Sequence, residues 1–345
     1  SIFPSLSDEV VHQQAEQRFS FNVETRDMKQ VLDLLAPGLE IEPGATANGA
    51  LDTRTFDLDL TAQVPQMKYG TLEMDSVQVI ADKTLDILAF AVQSTRQSIN
   101  DTIWFGGTSF TGKAYQDELD IELGWDTSGT GTNGDLKILG EVRGLRSVSL
   151  DLMPSHLYFG RGTWTNPTVA HFTVDSSRVV VSGLELLNAD QRLAFSGAVS
   201  TDPAEGLAFE LENVDLMNLA PLLTGPELHG KLSGDGRLFN LYDAPYVVSY
   251  ICADSLSVRN DLIGDVRFAL SWQEGQRALD LNGTVTRGTI KALDFTGRMA
   301  IKGDNELDLL LLMDRFDVAF VNPYIPEGIS GIHGLVSGNV ALTGT

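Results

Sequence analysis

Apolar and polar residues alternate along most of this chain. From Leu51 to Val64, Phe56, Leu58, Leu60, Ala62 and Val64 share one parity, and Asp57, Asp59, Thr61 and Gln63 take the other. A period of two is the mark of a strand with one face covered. It recurs at Leu72–Ile80, Thr84–Ala91, Leu119–Leu123, Leu136–Val142, Val148–Leu152, Val179–Leu187, Val266–Leu270, Leu279–Val285 and Ile290–Ile301. Gly, Asn, Asp and Ser punctuate these runs at about 8–12 residues, the rhythm of an all-β protein. Helical spacing is rarer. Residues 8–18 suit a short helix or the remainder of an upstream strand, and Asp27 to Ala36 carries Met28, Val31, Leu32, Leu34 and Leu35 before Pro37-Gly38 stops it. Asp27 is placed to cap that helix.

The chain also repeats. Leu193-Ala-Phe-Ser-Gly, Leu207-Ala-Phe-Glu-Leu and Leu228-His-Gly-Lys-Leu-Ser-Gly have counterparts in Leu293-Asp-Phe-Thr-Gly, Leu307-Asp-Leu-Leu-Leu and Ile332-His-Gly-Leu-Val-Ser-Gly. Self-similarity of this kind marks a stacked architecture. In each copy a short helical break follows, at Asp215–Ala220 and at Asp317–Val321, and ends before a proline. The segment from Phe19 through Ala36 to Ala47-Asn-Gly-Ala-Leu has the same plan. The units span 19–150, 193–240 and 293–345, and no Pro/Ser/Gly-rich linker divides them. The expectation is one continuous β body over residues 1–345.

A long alternating sheet has one oily face, which must close on itself or curl into a trough. Without linkers to separate sandwiches, the reading is an elongated curled sheet with an open groove and a few short helices.

Composition narrows the partners. There are 47 acidic against 24 basic residues, a net charge of −23. That argues against nucleic acid, whose phosphates need a basic stripe, and disfavours docking on anionic lipid headgroups. The single cysteine, Cys252, reads as a buried apolar filler. No apolar run reaches the length of a membrane-spanning helix. The first and last residues fall where neighbouring sequence is expected, so the chain reads as a piece of a longer protein.

Chemical motifs are weak. Gly129-Thr-Gly-Thr-Asn-Gly134 matches GxGxxG, but a strand rather than a helix follows it, so it reads as a hairpin loop. Asp126, Ser128 and Asn133 lack the closing Glu of a calcium loop. The histidines (12, 156, 171, 229 and 333) are not spaced as zinc ligands. His229 and His333 are repeat-equivalent and read as structural residues at turns. Trp104, Trp125, Trp164 and Trp272 read as core or groove packing. No set of residues converges as in an enzyme, and no cofactor or metal is called for.

These features together resemble a known family. Asn188-Ala-Asp-Gln-Arg-Leu-Ala-Phe-Ser-Gly197, Ser200-Thr-Asp-Pro203, Asn213–Leu219 and His229-Gly-Lys-Leu-Ser-Gly234 carry the resemblance. So do Met28–Gly49 and Met153-Pro-Ser-His156 leading to Trp164. The chain resembles the TamB-like translocation and assembly module proteins of Gram-negative bacteria, relatives of the AsmA-like group. The resemblance implies a periplasmic β-taco that carries phospholipid between inner and outer membranes. It further implies an inner-membrane anchor and an outer-membrane barrel partner, both outside this middle or late segment. Acyl chains would lie against the apolar parity of the clearest strands. Those residues are Phe56, Leu58, Leu60, Val77, Val79, Leu207, Phe209, Leu211, Val266, Phe268, Leu270, Leu307, Leu309 and Leu311. The alternative expectation is a scaffold for outer-membrane β-barrel assembly that pairs client strands with an exposed edge.

Overall fold

The computed structural model describes residues 2–6, 17–26, 29–55, 57–99, 103–125, 133–144, 147–159, 162–219, 227–242, 245–259, 261–273, 278–300, 307–319 and 333–344. The protein is all-β, with antiparallel strands, a curled sheet and a few short helices. It divides into two compact units, Ser1–Phe159 with Thr163–Ser176, and Gly160–Gly162 with Ser177–Thr345.

The strands of the first unit are β1 (Arg18–Glu24), β2 (Leu39–Ile41), β3 (Thr46–Asp52), β4 (Asp57–Tyr69), β5 (Leu72–Thr84), β6 (Ile87–Ser94), β7 (Arg96–Ile99) and β8 (Ile103–Phe105). They continue with β9 (Thr108–Tyr115), β10 (Glu118–Trp125), β11 (Asn133–Val142), β12 (Ser147–Leu152), β13 (Ser155–Phe159), β14 (Gly162–Asn166) and β15 (Ala170–Asp175). Its main ladder runs β1–β3–β4–β5–β6–β9–β10–β11–β12–β15. The long strands β4 and β5 serve two sets of partners. Their near halves pair with β3 and β6, and their far halves with β2 and β7. Between the halves, Ser76 has φ 51°, while the β4–β5 register is the same on both sides of it.

The second unit is a meander: β16 (Arg178–Asn188), β17 (Gln191–Ser200), β18 (Gly206–Asp215), β19 (Leu228–Phe239), β20 (Tyr246–Val258), β21 (Asp261–Gln273), β22 (Ala278–Arg287), β23 (Ile290–Ala300), β24 (Leu307–Asp317) and β25 (Leu335–Gly344). Each pairs antiparallel with the next. Register shifts fall in β16, β18, β19, β20, β23 and β24, most of them towards one end of the ladder. Bulges bend strands and increase their twist, and a row of them curls the sheet. Along the row lies a packed cluster of Ala253, Val266, Val285, Ala292, Leu293 and Phe316. Phe316 is only 4% exposed, which a side chain on a flat uncovered sheet does not reach.

The sequence repeat is also structural. The bulge residues Asn213 and Arg315 have φ of 52° and 49°. Their N–H groups donate to the hydroxyls of Ser233 and Ser337, each at 2.9 Å. Asp215 then accepts the N–H of Met217 at the start of the short helix α2 (Leu216–Leu219), and Asp317 accepts that of Ala319.

Some expectations are corrected. Leu51–Val64 is not one strand. The chain reverses at 53–55, where Asp52 accepts the Arg54 N–H at 3.0 Å and Leu51 comes to face Leu58. Thr84–Ala91 is likewise split by a turn at Leu85, with φ 59°. Cys252 is half-buried, not core. It lies between Ser233 and Arg267 on the polar face, because Ile251 and Ala253 occupy the inward parity. The helix predicted at 27–36 exists as α1 (Lys29–Leu35), and of the segment 8–18 the described end is not helical, since Arg18 opens β1; Asp27, residues 8–16, residues 126–132 and Phe56 lie outside the described residues.

Candidate apolar groove

Strand register carries apolar residues across each unit in rows. In the first unit Leu60 faces Gly49 on β3 and Ala81 on β5, and Ala81 faces Phe90. The row continues through Gly112, Ile121 and Ile138 to Leu152. Leu58 belongs to the row below, facing Leu51 and Lys83, and Val79 to the row above, facing Ala62 and Val92. In the second unit Leu211, Phe268 and Leu311 fall in a single row with Gly234, Ile251, Gly283 and Phe295. Phe209, Leu270 and Leu309 make the next row, with Gly236, Ser249, Leu281 and Gly297. Leu207 faces Leu238, and Leu307 faces Met299.

The described residues predicted to line the groove thus share one face within each unit. Most are half-buried, as expected of a face that is neither bare nor plugged. Val77 and Val266 are different. They are 1% and 9% exposed, Val77 next to Ser76 and Val266 within the packed cluster of the second unit.

The floor of this face has a device the sequence reading missed. Glycines on the inward parity stand opposite rings that lie across them. A Cβ built on Gly49 would be 2.6 Å from Cζ of Phe21, on Gly112 2.6 Å from Phe90, and on Gly236 2.5 Å from Phe209. Trp125 covers Gly134 in the same way. A ring laid over a glycine fills the gap left by the missing side chain and stays low on the sheet. The face is therefore smooth. Its signal is a Phe–Gly cross-strand pair, which can be recognised only once register is known. At the margin away from the bulges in the second unit, Phe239, Tyr246 and Trp272 stack with centroids 5.1 and 4.1 Å apart.

Charge is kept on the opposite face and at the margins. Arg192 on β17 reaches Glu185 on β16 and Glu210 and Glu212 on β18, and hydrogen bonds to Glu185 and Glu210 hold its pKa above the usual arginine range. Arg298 donates to Asp280 at 2.7 Å, which lowers the aspartate. Lys231 and Asp190 pair at 2.8 Å. Tyr250, on the same face, is pushed up by its hydrogen bond with Cys252. Lys83 lies in an inward row, but its ammonium turns back to the Leu85 carbonyl at the hairpin. Its stem covers apolar surface while its head stays at the rim.

His171 Nδ1 lies 2.7 Å from Asp151, exposed on the polar side of β15 and β12. His229 lies 3.5 Å from Glu227 at the start of β19. Among the described residues no group of His, Cys, Asp and Glu is arranged to hold a metal ion, and no helix is long and apolar enough to cross a membrane. No protein-family model, curated protein or solved structure matches this chain.

Proposed function

We propose that this protein is a TamB-like, periplasmic carrier of phospholipid acyl chains between the inner and outer membranes. The carrying observation is the pair of continuous, half-buried apolar faces with low Gly–aromatic floors. Each methylene withdrawn from water gains about 0.8 kcal/mol, so a two-chain lipid is readily held. A smooth lining lacks deep wells, so a bound chain moves along it without a large barrier. The acidic opposite face stays hydrated and supports solubility. The reading needs no cofactor, and it leaves the barrel partner and the membrane anchor to regions beyond these residues.

The test uses photo-crosslinking amino acids in living Gram-negative cells. Leu58 and Leu309 probe the inner faces, and Asp59 and Asp308 the opposite ones. Phospholipid adducts confined to Leu58 and Leu309 support the proposal. Adducts at none of these sites, or equally at all four, would refute it.

A further inference from the structure

We infer that Lys83 holds the headgroup phosphate of a lipid in the first unit, with the acyl chains laid against Leu58, Leu60 and Val79. The inference rests on the phospholipid reading of the groove and adds to it a place and an orientation for the headgroup.

The inner face is almost without charge. In the first unit, rows run across the ladder through Leu58, Leu60 and Val79. In the second they run through Leu211 and Phe209. Among the described residues of these five rows, Lys83 is the one ionisable side chain. It faces Leu58 on β4 and Leu88 on β6 and is half-buried. A face that needed only to be oily would be served better by leucine, which leaves no ammonium to solvate.

The ammonium has no acid of its own. On the polar side Lys137 reaches Asp120 at 3.6 Å and Lys231 reaches Asp190 at 2.8 Å. Lys83 donates to the Leu85 carbonyl and has no carboxylate at ion-pair distance among the described residues. Asp57 is close enough to feel it, but both Asp57 oxygens are taken. One accepts the Thr55 hydroxyl at 2.7 Å and the other the Leu85 N–H at 3.1 Å. These two bonds, in that order, hold the Asp57 carboxyl below its ordinary value, and Lys83 adds to them. An ammonium carries three N–H donors. One is used on Leu85, and two remain for an anion. A lysine meets phosphate as a point charge and needs no fixed fork of partners.

Place along the strand decides which part of a lipid meets Lys83. The residue stands beside Thr84, the last of β5, at the rim where a headgroup stays in water. Val79 lies about 13 Å further in, at ~3.3 Å per strand residue. Ala81 and Val79, the next inward residues on that path, are apolar. A phosphate held at Lys83 therefore directs its chains over the Leu60 and Val79 rows. The two rows of the second unit carry no such cation, so this preference belongs to the first unit.

The test compares a phosphatidylethanolamine with the diacylglycerol of the same two chains, both presented to the whole chain in the same neutral detergent. A charge-assisted contact is worth about tenfold in affinity or more. The parent should favour the phospholipid by at least that factor. Lys83→Met should bind the diacylglycerol as the parent does and lose the preference, and Lys83→Arg should keep it. Inorganic phosphate in excess should not displace the phospholipid, which marks a headgroup and not free phosphate as the source. The inference is overturned if the parent binds both lipids equally, if Lys83→Met keeps the full preference, or if inorganic phosphate competes. In those cases both lipids still bind and the groove reading stands. Binding of neither lipid by the parent would overturn the groove reading and the inference with it.

Discussion

Phe295 lies across Gly283: a Cβ built on the glycine would stand 2.3 Å from Cζ of the ring. It would also meet the Arg267 carbonyl at 2.6 Å and Cβ of Phe268 at 2.7 Å. Gly283 needs no unusual backbone angle, so space alone keeps it a glycine. Gly283→Ala should destabilise the second unit by about 1–3 kcal/mol, the usual cost of overpacking. The urea midpoint measures it. Adding Phe295→Leu should recover only part of the loss, because the Arg267 carbonyl cannot move aside. Full recovery would show that the ring is the sole obstacle.

The two bulge hydroxyls make a matched pair. Ser233→Ala and Ser337→Ala each remove the acceptor of one backbone N–H, a loss of about 1 kcal/mol for a neutral hydrogen bond. Local exchange of the Asn213 and Arg315 amides should accelerate about fivefold in the respective variants, with the same sign in both copies. An unchanged Arg315 amide in Ser337→Ala would show that the second bulge is held by other means.

The faces of the sheet were legible in the alternation, and the repeat in Leu-His-Gly against Ile-His-Gly. Leu58, Leu60 and Val79 share one face because residues paired across antiparallel strands point the same way. The hairpin at 53–55 was not legible, since Asp52-Thr-Arg-Thr carries no Gly or Pro to mark a turn. Several bulges were hidden for a related reason: Asn213, Ser255 and Arg315 take positive φ without being glycine. Cys252 was misread because Tyr246–Cys252 is apolar on both parities, so composition alone does not say which side faces inward. The run Leu309–Leu312 has the same ambiguity. The structure resolves it through Gly297 and Phe295, which face Leu309 and Leu311.

Acid should weaken the end of β24. The Asp317 carboxyl is held below its ordinary 3.8, first by the Ala319 N–H and then by Arg287, with His333 adding to the effect. A carboxylate with a lowered folded pKa contributes stability that is complete above the unfolded value and is lost as pH falls through the folded one. The thermal midpoint of the parent should therefore fall more steeply below about pH 4 than that of Asp317→Asn, which still accepts the Ala319 N–H but does not titrate. Parallel curves for the two proteins would remove Asp317 from the acid response.

Leu309 and Leu310 offer the sharpest test of sidedness, because adjacent residues of one strand face opposite ways. Leu309 is half-buried between Gly297 and Leu342, whereas Leu310 is 41% exposed between Thr296 and Ala341. A carboxylate at Leu309 would lie in the apolar row and would have to be dehydrated for an acyl chain to pass, at a cost of several kcal/mol. Leu309→Glu should therefore reduce co-purified phospholipid at least tenfold by mass spectrometry, on the order of what 1.4 kcal/mol or more implies. Leu310→Glu adds a charge to a face that already carries Asp280, Arg298 and Asp308, and should leave the lipid content within about twofold, an effect well under 1 kcal/mol. Circular dichroism on both variants separates lost folding from lost lipid. Equal lipid loss in two folded variants would mean that the parity of β24 does not decide where the acyl chain lies, and the groove reading would fail at this strand.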